Sequence, residues 1–515
     1  KKARIYDIEN LNFSYSYAEN NYQDFEMDYS NKKMVVANAQ YSYSFENLSI
    51  YPFDKLLENK NSKYIKWLKE FNFNPLPNNL TFSANYNRTL FSQKFREINY
   101  SGVVSNSQIP TPEFRQSKFM FDWLLSISHN LTNSLVLGYN SSNSSLIPSF
   151  SKEISSVDKN KMELFDNFFE FGESNFYNQN FSANYNIPIS KLPFLDFIDA
   201  NYSYNGNFNW QRGSDIQNNV IDDFGNKLGR VNTIQNSNNQ SLTLSLNLDK
   251  FYRQFSFFEK KSVMNFLKSL KRVRSTYSEN SGQVLPGYIP SIGFLGTLKP
   301  SFGFVFGDQK DVRYEIAKNG WLTEFSNFNQ QYQKVYNSKF DFSAEIEIIK
   351  DLRIDLNANR SYSNNYSENY SIVDSKYNSL NGNFYGNFSI STNMLKTSFH
   401  SKTIDSSINF EKLKENRLDI ANRLILRNNL NNITYDDDGF PSGYAKNSQS
   451  VLIPAFMAAY TGIEASKISL NPITNRPKFN WSLQYTGLEK YFKEIFSRFS
   501  LQHGYRSNFT INNFN

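Results

Sequence analysis

From Lys339 the chain reads KFDFSAEIEIIKDLRIDLNANRSY, and its apolar residues fall on every second position. Phe340, Phe342, Ala344, Ile346 and Ile348 alternate with Lys339, Asp341, Ser343, Glu345 and Glu347. After a break at Ile349, Lys350 and Asp351, Leu352, Ile354, Leu356 and Ala358 alternate with Arg353, Asp355, Asn357 and Asn359. Successive side chains of a strand point to opposite faces, so the spacing predicts a hairpin with one apolar and one polar face. Pairing Ile348 with Leu352 across a three-residue loop sets Glu347 opposite Arg353, which is favourable, and Glu345 opposite Asp355, which is not. A shift by two residues keeps both faces, so the pattern predicts orientation and leaves register open. What the apolar row meets decides the fold: a packed core in a soluble protein, hydrocarbon in a membrane barrel.

The same parity recurs from end to end. Phe13, Tyr15 and Tyr17 alternate with Asn12, Ser14 and Ser16; Leu242, Leu244, Leu246 and Leu248 alternate with Ser241, Thr243, Ser245 and Asn247. LTFSANYNR, KFMFDWLLSIS, NYSYNGNFNW, NFYGNFSIS and KFNWSLQYTG follow suit, with polar positions mostly Asn, Ser and Thr. Segments of about ten residues with alternating hydrophobicity, separated by polar turns, predict a transmembrane antiparallel β-barrel, with about 16–20 strands for this length. The expected fold class is therefore all-β, with residues 1–515 one continuous portion of barrel wall and short helices in some long loops. Residues 251–275 are expected to form an amphipathic helical insertion, because Phe251, Phe255, Phe258, Met264, Leu267 and Leu270 recur at helical spacing among lysines and arginines. KYIKWLKEF from Lys63 and EKLKENRLDIANRLILRNNL from Glu411 are further helical candidates.

Composition sharpens this picture. Hydrophobic residues are only 39% of the chain, yet aromatic ones reach 17%, with 48 Phe and 33 Tyr; that mix suits strands with one wet face and amphipathic rings at an interface. The net charge of +7, from 55 basic and 48 acidic residues, is dispersed rather than clustered, which argues against a nucleic-acid partner. With no cysteine there is neither a disulfide scaffold nor a thiolate metal site. The stretch begins KKARIYDIEN, without an initiator methionine or the apolar core of a signal peptide, so any signal sequence is expected to lie outside it. The longest apolar run, VLIPAFMAAYTG from Val451, contains Pro454 and falls short of the roughly 20 residues a spanning helix needs. His129, His400 and His503 are far apart and lack metal-type neighbours. TYDDDGFPSGY lacks the distant carboxylate of a calcium loop and reads as an acidic turn. No catalytic, cofactor or metal site is expected, and no enzyme.

Several non-repeating stretches, in order along the chain, resemble the SprA/Sov family, the outer-membrane translocon of the type IX secretion system in Bacteroidota. They are RIYDIENLNFSYSYAE from Arg4, FNPLPNNLTFSANYNR from Phe73, NTIQNS from Asn232, VLPGYIPSIGFLG from Val284, GWL from Gly320, VLIPAFMAAYTG from Val451 and HGYRS from His503. The residues carrying the likeness include Asn232, Thr233, Ile234, Gln235, Asn236, Pro286, Gly287, Trp321, Pro454, Gly504 and Tyr505. The resemblance implies a later portion of a giant single-chain barrel in the Gram-negative outer membrane, of about 36 strands. It implies export of folded cargo bearing a C-terminal secretion domain, a PorV-type partner barrel at a lateral opening, a periplasmic plug protein, and contact with membrane lipid and lipopolysaccharide. No cofactor and no catalytic residue come with it.

Scaling agrees with such a role. Strands about 4.8 Å apart and tilted near 40° give a backbone diameter of about 35 Å for 16–18 strands and about 70 Å for 36, while a folded 100-residue domain is roughly 35 Å across. Only the larger ring passes it once lining side chains are subtracted, and a pore that wide needs a plug. On this reading Phe340, Phe342, Ile346, Ile348, Leu352, Ile354 and Leu356 face lipid, while Asp341, Glu345, Glu347, Arg353, Asp355 and Asn357 face the lumen. Two other readings share the pattern: a nutrient transporter or porin-type barrel that closes on itself, and a soluble β-rich surface adhesin whose apolar rows pack against a second sheet.

Overall fold

The alternating segments form strands, and the first twelve follow one another across a single antiparallel sheet, each hydrogen-bonded to the one before it. The computed structural model describes residues 4–54, 66–96, 112–147, 170–216, 220–222, 225, 227–254, 268–400, 403, 407–428, 433–492 and 494–514. The strands are β1 (Leu11–Tyr22), β2 (Met27–Ser44), β3 (Asn79–Phe95), β4 (Phe114–Asn130), β5 (Leu135–Leu146), β6 (Glu173–Ile187), β7 (Ile198–Gln211) and β8 (Asn232–Asn247), followed by β9 (Leu270–Tyr288), β10 (Tyr332–Ile349), β11 (Leu352–Val373), β12 (Lys376–Ser391), β13 (Asn480–Tyr485), β14 (Leu501–Tyr505) and β15 (Asn508–Phe514). Helices are few: α1 (Lys66–Lys69), α2 (Leu248–Gln254), α3 (Phe302–Val305), α4 (Arg313–Lys318), α5 (Ile408–Asn428), α6 (Gln449–Thr461) and α7 (Glu489–Phe492). No helix among the described residues is long and apolar enough to cross a membrane.

The expected 16–20 strands become fifteen among the described residues, and these occupy thirteen positions. Strand β11 forks: Arg360–Val373 pairs with β12, while Leu352–Asn357 pairs with β13. Strands β12 and β13 therefore lie end to end as one strand, and β14 and β15 continue each other alongside it. Between Ser391 and Asn480 the chain leaves the sheet, and the gap is stitched. The Ser391 hydroxyl donates to the Lys478 carbonyl at 2.7 Å and accepts from the Asn359 N–H at 3.0 Å. The Lys478 N–H donates to the Ser391 carbonyl at 2.9 Å. An excursion that left these groups unpaired would cost a lost hydrogen bond each; here the ladder runs on across it. This insertion and the long connection between β9 and β10 account for much of the chain that strands do not.

Helix α6 holds Val451–Thr461, apolar all round because both its sides are covered. Val451, Ala455 and Ala458 meet Ile420, Ala421 and Leu424 of α5, and Ile453, Phe456 and Met457 pack on Phe388, Ile390, Phe509 and Ile511 of the sheet. Helix α5 confirms the helical spacing read from Glu411, and its outer side carries charges such as the Glu411–Lys414 ion pair at 2.7 Å. The expected helix over 251–275 is corrected in part. Phe251–Gln254 ends α2, residues 255–267 lie outside the described residues, and Leu270–Arg274 are strand β9, where pairing to both β8 and β10 outweighs helical spacing. Of KYIKWLKEF only the short α1 is described as helix.

In the opening hairpin Glu347 pairs with Arg353 and Glu345 with Asp355. Ile348 does not pair with Leu352, however. A bulge places Ile349 there and leaves a two-residue turn, with Asp351 in the left-handed region at φ 72°. The Glu345–Asp355 repulsion is relieved by Arg353, which reaches Asp355 at 3.0 Å and Glu345 at 3.6 Å. Cysteines at 345 and 355 should cross-link under mild oxidation more readily than cysteines at 345 and 357. Preferential cross-linking of the second pair would show a register two residues off.

Candidate functional site, a two-faced sheet

Residues directly opposite each other in a ladder share a face, so the pairing traces each face across the sheet. One row runs Ser203–Ser241–Ser278–Lys339–Ser361–Ser389–Thr510 over seven neighbouring positions. The adjacent row runs Tyr185–Tyr202–Leu242–Tyr277–Phe340–Arg360–Ile390–Phe509. Phe340, Phe342, Ile346, Leu352, Ile354 and Leu356 all lie on the second, apolar face, and Asp341, Glu345, Glu347, Arg353, Asp355 and Asn357 on the polar one. Ile348 sits in the bulge, exposed. The one charge in the apolar row, Arg360, is covered by the insertion: its Nε donates to the Thr474 carbonyl at 3.0 Å, and its guanidinium lies 5.5 Å from the Phe388 ring centre.

The polar face divides into two sectors. From β6 to β7 it is an amide ladder, in which Asn178 donates to Asn207 at 2.9 Å, Asn180 to Asn205 at 2.7 Å and Asn201 to Asn186 at 2.5 Å. From β9 to β11 it carries both signs of charge, Arg272 and Arg274 beside Asp341, Glu345, Arg353 and Asp355. A hollow of about 610 Å³ is lined by Asn239 on β8, Ser278 on β9, Asn337 on β10, Ser361 on β11 and Asn387 on β12. A second, of about 720 Å³, is lined by Arg274, Asp341, Asn357, Asn480 and Arg506 among others. Both hollows open on the polar face.

Among the polar residues that interrupt the apolar face are Gln179, Asn236, Asn238 and Gln283. All four meet the β9–β10 connection, which folds back over this end of the face as a lid. Gln179 donates to the Val305 carbonyl at 3.3 Å, Asn236 to Phe304 at 3.1 Å and Asp308 at 2.6 Å, Asn238 to Gly307 at 2.8 Å and Gln283 to Lys310 at 3.4 Å. Tyr204 donates to Phe306 at 2.7 Å and Trp210 to Pro290 at 3.1 Å. Tyr288 at the end of β9 and the lid's Phe304, Val305, Val312, Ile316 and Leu322 fill the core between. Gly206 permits the closest approach, since a Cβ there would lie 2.1 Å from the Phe306 carbonyl oxygen.

Most residues of the family-like motifs assemble at this lid. Asn232 donates to the carbonyls of Ile289 at 3.1 Å and Pro290 at 3.3 Å, Ile234 is fully buried beneath, and Asn236 holds Phe304 as above; Thr233 and Gln235 alternate onto the polar face. The Pro286 carbonyl accepts from Tyr370 at 2.5 Å, and a Cβ on Gly287, at φ 80°, would strike that same hydroxyl. Trp321 closes the lid's far end through its carbonyl to the Ile289 N–H at 2.9 Å. Elsewhere Pro454 lies buried in α6, Gly504 pairs with Ser482, and Tyr505 stacks on Trp481 at 4.5 Å. His129 contacts the Asn74 carbonyl and His400 the Asn409 side chain, each at 2.7 Å. Asp436 closes the acidic turn by accepting from the Asp438 and Phe440 N–H groups. No family model matches this chain, and no curated protein does either.

Arg313, at the start of α4, latches the lid. It pairs with the buried Glu368 of β11, lies 4.4 Å from the Tyr332 ring centre, and bonds Asp311 at 2.7 Å. Glu368 also accepts from Tyr366 at 2.5 Å and Tyr377 at 2.6 Å. Burial works against the Asp311 carboxylate, but hydrogen bonds and charge from Arg313 hold its pKa below the ordinary value. A depressed carboxylate stabilises the fold fully above its unfolded pKa of about 3.9, and that contribution vanishes as pH falls through the depressed value. The lid should therefore loosen below about pH 4. Arg313→Met leaves Glu368 buried without its cation and should destabilise the lid by about 3–5 kcal/mol. Faster hydrogen exchange over 289–331, with the far strands unchanged, is the expected readout.

Proposed function

We propose that this chain forms part of the wall of a protein-conducting outer-membrane barrel, the SprA/Sov-type translocon of type IX secretion, with its apolar face in lipid and its polar face lining the channel. The observation that carries the reading is the parity of the sheet: thirteen strand positions keep one apolar and one polar face, and among the described residues no second sheet covers the apolar side. An adhesin sandwich would need such a sheet. Where Gln179, Asn236, Asn238 and Gln283 interrupt the apolar face, the lid covers them, as removal from water demands.

Size favours a wall over a closed pore. Strands β1 and β14–β15 do not pair with each other among the described residues. Thirteen positions closed into a ring would span only about 26 Å between backbones at the usual spacing and tilt, too narrow for a folded domain roughly 35 Å across. Export of folded cargo with a C-terminal secretion domain thus calls for further strands, and a ring that wide calls for a plug. A neutral amide ladder whose members bond each other, next to charges of mixed sign, offers passing protein no strong hold. A PorV-type partner barrel belongs to the same proposal.

Nitroxide labels at Phe340, Ile346 and Ile354, in the protein reconstituted in bilayers, should be relaxed by dissolved oxygen and shielded from a water-soluble nickel chelate. Labels at Asp341, Glu345 and Asn357 should show the reverse. Water accessibility at the first three sites would rule the lipid-facing wall out.

A further inference from the structure

A groove of about 900 Å³ opens where the insertion leaves the sheet, within the range of small-molecule sites. Ile390 of β12, Met457 of α6 and Ile468 form part of its wall. Leu395, Phe399 and Ile463 stand exposed around it, Phe399 at 87%. Lys396, Arg476 and Lys478 line the same groove, also exposed, and none of its lining residues is acidic. None of the three cations forms an ion pair among the described residues. Three cations beside an apolar trough match a ligand that is itself divided, with a hydrocarbon chain and an anionic head.

We infer that this groove binds one anionic lipid, its acyl chain along Leu395, Phe399 and Ile463 and its phosphate among Lys396, Arg476 and Lys478. An uncharged apolar ligand would leave the cations without a role, and a free anion would leave Leu395, Phe399 and Ile463 in water. The groove lies at the edge of the face assigned to lipid, and the inference goes beyond the channel reading without needing cargo to pass.

The test is a titration of the detergent-solubilised full chain with fluorescent phosphatidylglycerol and with phosphatidylcholine of the same chains, inorganic phosphate serving as competitor. One phosphatidylglycerol per chain should bind about a hundredfold more tightly than phosphatidylcholine, since each basic residue near an anionic headgroup contributes about fivefold. K396Q/R476Q/K478Q changes only exposed side chains and should erase that preference, while L395D/I463D should weaken both lipids. Equal affinity for the two lipids, a preference that survives the triple substitution, or displacement by inorganic phosphate alone would overturn the site. Binding in micelles is independent of label accessibility in bilayers, so failure of either test leaves the other standing.

Discussion

Parity of register is the constraint on which the rest of this structure hangs. A one-residue slip in any ladder would turn every side chain of the next strand to the opposite face, and with so many strands in series a single slip would invert everything beyond it. The pairing avoids this by confining its irregularities mostly to strand ends. The bulges at Glu347–Ile349 and Glu345–Ile346 lie beside the β10–β11 turn, and that at Asn232–Thr233 lies at the start of β8. Between them the rows through Ser241 and Leu242 cross the sheet without interruption.

A face so divided has little tolerance for polar groups on its apolar side, and the lid answers that. Asn236, Asn238, Gln179 and Gln283 spend their amide hydrogens on lid carbonyls, which are themselves backbone groups in need of donors. The exchange is reciprocal, so lid and sheet each satisfy what the other would bury unpaired. Arg313 and Glu368 add a charged anchor inside a cage of tyrosines. A buried ion pair of this kind fixes position more than it adds stability.

The insertion solves a different problem, that of placing two helices in mid-strand without exposing the break. Ser391 and Asn480 stand at the two lips, and their side chains take up the backbone groups left over: Ser391 from Asn359, Asn480 from Ser507. The neighbouring composite strand bridges the same level through the Thr392 N–H and the Ser507 carbonyl. Helix α6 then lies on the apolar face, and α5 covers it with a charged surface. The apolar face of the sheet is thereby divided into a part covered by the lid, a part covered by helices, and an open remainder that includes Leu242, Tyr277 and Phe384.

Alternation alone determined the strands, their two faces and the assignment of Phe340 and Asp341 to opposite sides, because a period of two needs no knowledge of neighbours. The Glu347–Arg353 pairing was one of the registers that alternation allowed, and the fold selected it. The sequence carried a signal for the lid as well, in the amides at apolar parity from Gln179 to Gln283, but only the fold says which carbonyls they meet. Among the described residues an 88-residue excursion sits inside one strand position, which helical spacing from Glu411 hints at but does not place, and Leu270–Arg274 joined β9 because ladder bonds on both sides outweigh helical spacing. The fork of β11, the stitch at Ser391 and the groove beside Lys396, Arg476 and Lys478 all bring together residues tens of positions apart. Such contacts depend on how the chain returns to the sheet, which only the tertiary structure decides.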